Sequence, residues 1–360
     1  NKNKKIVFYT PTFRDDDAMD CYQIDCDGVL KELGEDYLFL IRMHPNVTRY
    51  EGVFHFNDRI IDVTKYPDVQ IVVMNHAYGF PGDIMGIRRI CFEHDALLIE
   101  CAGEAIGAAY WVGEDAPDVG QGIWAKAGGL GNYAVLGFAP DKMMGPSGGA
   151  VLVQDFFQKQ KADYLASGAK AAVPWNQHEE LGYNYRMSNL IAGCGLGNFQ
   201  YLEEHINSKQ QIYERYREGL SDLPVSMNPI DFSRSRPNYW LSCLLIDENA
   251  MAPMVRGEQD YLYKHESGKS SPHEILDALG AFNAEGRPIW KPMHMQPIYR
   301  TNPFITRSGN GRGRTNAYIS GTFEDVGADI FHRGLCLPSD NKMKPEEQDV
   351  IIDIIHRCFL

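Results

Sequence analysis

Apolar and polar positions alternate in distinct patterns along the chain, and each pattern predicts a type of element. Three short runs near the start, at 5–12 (KIVFYTPT), 37–42 (YLFLIR) and 59–63 (RIIDV), are rich in β-branched and aromatic residues. An acidic connector and a polar loop separate them. The three runs therefore predict three strands of an α/β unit.

From residue 70 the pattern changes to strand, helix, strand. The run at 71–79 (IVVMNHAYG) predicts a strand that ends in a turn, apolar residues between 84 and 91 recur at helical spacing, and 96–103 (ALLIECAG) begins with a buried strand. This order predicts a parallel crossover. Residues 110–131 are rich in glycine and are predicted to be irregular.

The run at 133–153 (YAVLGFAPDKMMGPSGGAVLV) predicts two apolar strands joined by a short polar break that carries Lys142. An amine held between two buried strands is partly desolvated, which favours a nucleophilic role such as Schiff-base formation. The alternative is a surface turn lysine beside glycines that serve only the turn. The residues of this stretch alone leave both interpretations open.

The rest of the chain predicts more helices and a second domain. Residues 155–167 predict an amphipathic helix, and two further helices follow before residue 223, the second long and charged. Residues 224–235 are predicted to form a linker. A strand at 239–246 and helices at 273–284 and 345–359 then indicate a smaller α+β domain. The predicted domains are 1–69, 70–223 and 224–360.

Composition narrows the possible functions. The 360 residues are 44% hydrophobic and 23% charged, which is typical of a soluble globular protein of about two domains. The net charge of -13 argues against binding nucleic acid or an anionic membrane surface and favours small-molecule chemistry. No apolar run approaches the roughly 18 residues of a membrane span, and the start is too short for a secretory signal, so we expect a cytoplasmic protein.

The cysteines do not predict a metal site. Eight are present, with no CxxC pair and no histidine at zinc-ligand spacing, so scattered reduced thiols are expected. Cys21 and Cys26 lie among aspartates, where a solvated acidic turn is a simpler explanation than a metal loop.

Basic residues follow the predicted N-terminal strands. Arg14, Arg42 and His44 stand where a phosphate could bind at the carboxyl ends of strands, although Pro45 ending the strand with His44 as its cap explains the pattern equally well. Residues 4–69 resemble the opening of CDP-glycerol glycerophosphotransferases, the polymerases of teichoic acid synthesis. The aspartate-tyrosine-serine-serine segment and the acceptor-binding half of that family are absent from this chain, so glycerophosphate transfer is the less favoured function.

Five later motifs carry a second resemblance. They are LLIECAGEAIGA (97–108), FAPDKMMGPSGG (138–149), HEELGYNYRMS (178–188), RPIWKPMHMQP (287–297) and FHRGLCLPSD (331–340). In this order, over about residues 72–360, they resemble the DegT and StrS type of sugar aminotransferase, pyridoxal-phosphate enzymes that aminate nucleotide-linked keto sugars. The fold class this implies is α/β: a large domain of the type I pyridoxal-phosphate transferases, with a mainly parallel sheet between helices. A smaller C-terminal α+β domain would follow it, and a partial Rossmann-like unit would precede it.

The resemblance implies a role for each matching residue around the cofactor, pyridoxal 5′-phosphate. Lys142 would form the Schiff base and then carry a proton between the substrate and the cofactor. Glu104 would lie against the cofactor ring. Ser147 and the two glycines after it would let the backbone pass close to the site.

The resemblance also implies a substrate and a partner. His178 and Tyr183 would line the entrance to the site, and Asn184 would reach the cofactor phosphate of a neighbouring subunit, which implies a homodimer. The nucleotide-sugar side of the cleft would be formed by residues of the IWKPMH segment, namely Trp290, Lys291 and His294. The amino donor would be an amino acid, glutamate or glutamine.

Two cofactor positions differ from the family pattern. Cys101 stands where the family has the aspartate that pairs with the pyridine nitrogen, and Gly137 stands where it has a phosphate-binding serine. Glu100 precedes Cys101 but should point to the opposite face of its strand, because side chains alternate. The family's N-terminal phosphate cup is replaced by residues 4–69.

Three functions follow, in order of preference. The first is a pyridoxal-phosphate-dependent aminotransferase that converts a nucleotide-linked keto sugar to an amino sugar for surface-polysaccharide biosynthesis. The second is a catalytically silent scaffold of the same fold that keeps the dimer and a sugar-nucleotide pocket. The third, less favoured, is CDP-glycerol glycerophosphate transfer.

Overall fold

The computed structural model describes residues 69–113, 122–145, 147–257, 260–299 and 325–360, together with residue 31 and the backbones of three N-terminal strands. The chain divides into two compact units: residues 1–69 with 291–328, and residues 70–290 with 329–360. The predicted domain boundary at 223 falls inside the second unit, after a long helix, and stays a prediction.

The first unit contains a three-stranded parallel sheet. Its strands are β1 (Lys5–Tyr9), β2 (Tyr37–Ile41) and β3 (Ile60–Asp62), paired in that order. The three predicted strands are thus confirmed at slightly shorter lengths. Arg14, Arg42, His44, Cys21 and Cys26 lie outside the described residues.

The second unit is built on a four-stranded sheet with the order β4-β5-β8-β9. These strands are β4 (Ile71–Asn75), β5 (Leu97–Cys101), β8 (Tyr133–Gly137) and β9 (Gly149–Val153). The first three are parallel, and β9 returns antiparallel to β8. The predicted crossover between β4 and β5 is confirmed and contains helix α1 (Ile84–Glu93), whose first turn is capped by Asp83 accepting the N–H of Gly86.

Residues 110–131 are partly regular, which differs from the predicted irregular segment. Strands β6 (Ala109–Val112) and β7 (Ile123–Lys126) pair antiparallel, with Trp111 directly opposite Trp124. The short β11 (Ser235–Arg236) joins the other edge of β6. Aromatic cross-strand packing stabilises these short strands. They are too short to show a periodic sequence pattern, and the surrounding glycines favoured the prediction of an irregular segment.

Three helices follow β9 as predicted. They are α2 (Phe156–Ala166), α3 (Asn189–Phe199) and α4 (Leu202–Gly219). Asp155 and Ser188 cap the first two, each by accepting a backbone N–H in the first turn. In α4, Ile212, Tyr213 and Tyr216 turn inward while the charged face stays exposed.

The C-terminal part forms an antiparallel sheet packed on helices. The sheet order is β10-β12-β16-β15, formed by Val225–Met227, Cys243–Ile246, Gly334–Cys336 and Arg287–Pro288. Because β10 pairs with β12, the predicted linker at 224–235 is incorrect at its start. A second short sheet pairs β13 (Met254–Arg256) with β14 (Tyr261–Tyr263).

The core of this part lies between the sheet and its helices. Helices α4, α5 (Pro272–Ala281) and α7 (Pro345–Arg357) meet over β12 and β16, with buried Tyr216, Ile275 and Ile355 at the centre. Each such side chain contributes roughly 1.5–3 kcal/mol by leaving water. Helix α6 (Val326–Arg333) precedes β16, and no helix in the described ranges is long and apolar enough to cross a membrane.

Candidate active site

Lys142 lies in the tight connection between β8 and β9. Its backbone N–H donates to the carbonyl of Ala139 at 2.9 Å, which closes the turn, and Met143 and Met144 beside it are buried. The lysine side chain is only 16% exposed. Met143 and Met144 therefore point into the protein interior, and the amine of Lys142 is largely buried beside them.

Glu104 is the charged partner of this amine. It follows the end of β5, where parallel strands deliver side chains to the edge of a sheet. Lys142 Nζ donates to Glu104 Oε1 at 3.2 Å, and the backbone N–H of Tyr78 donates to Oε2 at 3.1 Å. Both carboxylate oxygens are therefore engaged, which compensates for burial of the charge.

Aromatic rings form the wall opposite Glu104. Lys142 Nζ lies 3.7 Å from the ring centroid of Trp240 and 5.4 Å from that of Trp290. Tyr78 contacts both indoles, with centroids 6.3 Å and 4.8 Å away, and its hydroxyl accepts the backbone N–H of Trp290 at 2.8 Å. Burial raises the pKa of Tyr78 far above its ordinary value, so this hydroxyl stays neutral.

Asn238 connects the segments that carry these groups. Its amide nitrogen donates to the carbonyls of Glu104 and Ile106 at 2.7 and 2.9 Å, and its amide oxygen accepts the N–H of Trp240 at 3.0 Å. The side chain is fully buried. Gly79 makes room for it, because a Cβ at Gly79 would lie 1.8 Å from the Asn238 oxygen.

Behind Glu104, the carboxylate of Glu100 is buried and saturated with donors. It accepts N–H groups of Gly128 at 2.8 Å and Leu130 at 2.5 Å, a further bond from the N–H of Gly131, and His76 Nε2 at 3.1 Å. Burial alone would raise the pKa of Glu100, but these hydrogen bonds together hold it below its ordinary value. Glu100 is therefore a fixed structural anion.

A cavity of about 790 Å³ opens beside Lys142. Its cationic side chains are Lys142, Lys209, Arg287 and Lys342, with His205 nearby, and its acidic ones are Asp141, Glu285 and Asp340. Burial lowers the pKa of Lys209 to about 8, partly opposed by the charge of Asp340. Arg287 is paired with Glu285 at 2.7 Å and Lys142 with Glu104 at 3.2 Å, which leaves Lys209 and Lys342 beside the two indoles as candidate contacts for an anion that carries a ring.

The predicted cofactor residues occupy three settings. Cys101 ends β5 and is partly buried, on the strand face opposite Glu100. Gly137 ends β8 opposite Gly149, and a Cβ at Gly137 would make an ordinary van der Waals contact with the Gly103 Cα at 3.4 Å. Ser147 is exposed and lines a small apolar groove beside α3.

His178, Tyr183 and Asn184 are held by a segment of their own. His178 Nδ1 pairs with the carbonyl of Gly168 at 2.7 Å, Tyr183 stacks on Tyr185 at 4.9 Å, and Asn184 forms an isolated bridge with Ser167. Within the described part of one chain, the structure pairs none of the three with Lys142. Trp290, by contrast, is brought to the amine.

Lys291 and His294 belong to the other compact unit. His294 Nε2 lies 2.6 Å from Asp325 Oδ2, and the carbonyl of Lys291 accepts the side chain of Gln296 at 3.3 Å. Their predicted roles in a nucleotide-sugar cleft stay predictions.

Residues 62–356 match the DegT/DnrJ/EryC1/StrS aminotransferase family. The chain belongs to this family. Residues 1–76 match the CDP-Glycerol:Poly(glycerophosphate) glycerophosphotransferase family. Both resemblances seen in the sequence are thereby confirmed.

Two individual relatives have a low sequence identity to this chain. The EpsN protein of Bacillus subtilis (strain 168) is 28% identical over 289 residues, covering 80% of this chain and 63% of EpsN. GDP-perosamine synthase of Vibrio cholerae is 28% identical over 229 residues, covering 63% of this chain and 54% of the synthase. The chain thus spans less than two thirds of either relative.

A crystal structure of a DegT DnrJ EryC1 StrS aminotransferase from Brucella abortus superimposes with a TM-score of 0.60 at 17% identity, covering 98% of this chain and 79% of that one. The predicted α/β fold of this aminotransferase family is confirmed by this similarity.

Aminotransferases of this family use pyridoxal 5′-phosphate, and the site fits one end of that cofactor. Lys142 offers a partly buried amine for the aldehyde. Cys101 would meet the pyridine nitrogen with a thiol where the family has an aspartate, and Glu100 could not replace that aspartate because its carboxylate is saturated on the opposite face of the strand. Gly137 has no side chain that could replace the phosphate-binding serine of the family pattern.

Sequence reasoning missed four residues that build the site: His76, Tyr78, Asn238 and Trp240. A weak signal was present for Tyr78, because the HAYG turn places a tyrosine before a glycine at the end of β4. Tyr78 has a positive φ of 59°, which is unusual for a side chain of that size. Nothing in the sequence around Trp240 linked it to Lys142.

Proposed function

We propose that this protein is a pyridoxal-phosphate-dependent aminotransferase that converts a nucleotide-linked keto sugar to an amino sugar for surface-polysaccharide biosynthesis. The observation that carries this proposal is the Lys142–Glu104 pair beside the cavity, at 3.2 Å. The GDP-perosamine synthase relative supports a sugar nucleotide as the substrate class. The amino donor in this proposal is an amino acid, glutamate or glutamine.

Lys142 would hold the cofactor covalently, and Cys101, Gly137 and Ser147 would lie along its ring and phosphate. When bound, the cofactor supplies an aldehyde that takes up an amino group and a ring that withdraws electrons from the reacting carbon. Glu104 fixes the position of Lys142 Nζ, and the freed amine can then accept or return a proton there. Trp240 and Tyr78 exclude water from this side of the amine.

The cations of the cavity support binding of a diphosphate. Lys209 and Lys342 line the same space as the two indoles, as does Arg287, which would exchange its bond to Glu285 at 2.7 Å for one to phosphate. Charge-assisted hydrogen bonds from such groups to phosphate are the strong ones, and an aromatic face suits a base or a sugar ring.

The first test is spectroscopic. Purified protein mixed with pyridoxal 5′-phosphate should show an absorbance band near the visible edge, and borohydride should remove the band and leave the cofactor on Lys142, as found by peptide mass spectrometry. Lys142→Ala should show neither, while Lys126→Ala, which alters another lysine of the same unit, should behave as wild type. Absence of the band in wild-type protein would reject the enzyme function.

The second test is amino transfer itself. Incubation of the loaded protein with glutamate and a GDP- or UDP-linked keto sugar should give the amino sugar and 2-oxoglutarate. If the band forms but no amino group is transferred, the protein binds the cofactor and is not an aminotransferase for these substrates.

Cys101 and Gly137 favour one other candidate, a catalytically silent scaffold that keeps a sugar-nucleotide pocket. A protein of this kind would be stabilised thermally by a nucleotide sugar and would transfer no amino group from glutamate. Lys209→Met should abolish that stabilisation, because Lys209 lies in the cavity.

We also propose that the protein acts as a homodimer in which His178, Tyr183 and Asn184 serve the site of the neighbouring subunit. The support is a set of exposed apolar side chains around helix α3, including Leu181, Leu190 and Leu196, each at least 75% exposed. Contiguous apolar patches of this kind mark interfaces. Light scattering should show a dimer that Leu190→Asp dissociates and that the exposed hairpin variant Leu262→Asp leaves intact.

We also propose that the protein is cytoplasmic. All cysteines within the described ranges are free thiols, which suits a reducing compartment.

A further inference from the structure

The indole of Trp240 faces the ammonium group of Lys142 directly. The distance from Nζ to the ring centroid is 3.7 Å, well inside the roughly 6 Å limit of a cation–π contact. Trp240 is 3% exposed, so the contact is shielded from water. Shielding strengthens the attraction, because no water competes with the ring for the ammonium group.

Trp240 is also tied to the backbone of the lysine turn. Its indole N–H donates to the carbonyl of Asp141, the residue before Lys142. Its backbone N–H donates to Asn238, whose amide also holds the carbonyl of Glu104. One network of hydrogen bonds therefore joins the indole, the lysine turn and the segment that carries Glu104.

Trp290 offers a contrast within the same site. Its ring centroid is 5.4 Å from Lys142 Nζ, and 45% of the residue is exposed. A more distant and wetter ring attracts the ammonium less, so the two indoles are not equivalent.

We propose that Trp240 is a positioning residue for Lys142, and that its indole face and Glu104 form a resting site for the amine while it is not bonded to a cofactor. This rests on the proposed function, in which the amine alternates between a bonded and a free state. The resting site holds the free amine as an ammonium between an anion and a ring face. It thereby keeps Nζ at one position.

The resting site predicts a reactivity that can be measured without cofactor. Trace labelling with acetic anhydride reports the neutral fraction of each lysine, and peptide mass spectrometry gives the value for Lys142. At about pH 8, Trp240→Leu should label Lys142 roughly 2- to 30-fold faster than wild type, the range that corresponds to loss of a shielded cation–π contact. Trp240→Phe should lie between them, because phenylalanine keeps a weaker ring.

The pH profile separates positioning from access. If Trp240 holds the ammonium, the ratio of variant to wild-type rates falls once the pH rises well above about 10.4, the pKa of an ordinary lysine, because the attraction to the ring is lost with the proton. If Trp240 only blocks the reagent, the ratio stays constant at every pH. A constant ratio, or no change in Trp240→Leu, overturns the proposal.

Two controls complete the experiment. Trp290→Leu should raise the labelling of Lys142 less than Trp240→Leu does, by at most roughly fivefold, because its ring is farther from Nζ and half-exposed. Circular dichroism checks that each variant is folded; if Trp240→Leu unfolds, Trp240→Phe alone decides, and a wild-type pH profile in that variant overturns the proposal.

The outcome is independent of the enzyme test. A pH-dependent gain in Trp240→Leu with no absorbance band in the wild type would reject the aminotransferase function and keep the resting site. A band in the wild type with no gain in the variants would do the opposite.

Discussion

His76 Nε2 donates a hydrogen bond to the carboxylate of Glu100 at 3.1 Å, and both side chains are almost fully buried. The other ring nitrogen, Nδ1, accepts the N–H of Gly82 at 3.3 Å, which assigns the proton to Nε2. This pair links the end of β4 to β5 behind the lysine. It also explains why a carboxylate next to Cys101 cannot act in its place.

Glu100→Gln should destabilise the protein by at least about 1–3 kcal/mol, the usual cost of leaving one buried hydrogen-bond donor without an acceptor. The amide keeps the shape of the side chain but loses the charge, and its NH2 group would face backbone donors. Urea unfolding measures the loss. Glu203→Gln, on the exposed face of α4, should cost under about 0.5 kcal/mol, and an equal effect of the two variants would contradict this account.

Gly79→Ala should damage the active site through Asn238. Gly79 has φ of +87°, and the new Cβ would lie 1.8 Å from the Asn238 oxygen, so the amide must leave its partners. Gly268→Ala is a matched control, because Gly268 has φ of +81° and open space around it. In urea unfolding, the control should lose only roughly 1–2 kcal/mol of its free energy of unfolding, the cost of a left-handed residue with a Cβ. Gly79→Ala should lose clearly more.

Cys101→Asp should bind pyridoxal 5′-phosphate at least about tenfold more tightly than wild type, since a charge-assisted hydrogen bond contributes roughly 1.5–3 kcal/mol. Absorbance titration gives the dissociation constants. Cys101→Asn has nearly the same shape without the charge and should gain little. If both variants bind equally, the carboxylate is not what the site lacks, and the missing phosphate contacts at Gly137 become the explanation.

His273 should make the protein sensitive to acid. Arg256 donates to His273 Nε2 from both Nε and Nη2, each at 3.1 Å, so this nitrogen must stay unprotonated. Burial, and then the charge of Arg256, lower the pKa of His273 to about 4, with Asp277 opposing them and Tyr261 stacked on the ring.

The sign of this effect follows from the two states. Below about pH 6.5 the unfolded histidine takes up a proton that the folded one refuses, so stability is full above that pH and falls steadily towards pH 4. His273→Gln keeps an acceptor for Arg256 but cannot titrate, so its free energy of unfolding should change less over this range. Exposed His94→Gln should follow the wild-type slope, and a parallel slope in His273→Gln would exclude His273 as the cause.

The strands, helices and lysine could be predicted because they depend on local patterns. Apolar periodicity gave β4, α1, β5 and the helices after β9, and the order of five motifs identified the family and Lys142. Strand alternation also predicted that Glu100 and Cys101 face opposite ways, which the burial along β5 confirms. Strands β6, β7 and β10 were missed, since three or four residues are too few for a period to emerge.

The surroundings of Lys142 were decided by the tertiary structure alone. Three separate segments supply these residues: Tyr78 from the first, Glu104 from the second, and Asn238 with Trp240 from the third. No local rule predicts that these segments meet. Hydrogen bonds and ring contacts between such segments depend on how the sheet and the small antiparallel sheet pack. The sequence alone determined the family and pointed to Lys142 as the candidate Schiff-base residue. Only the packed fold determined that an indole and a carboxylate both contact its amine, because long-range contacts satisfy buried polar groups that local structure leaves open.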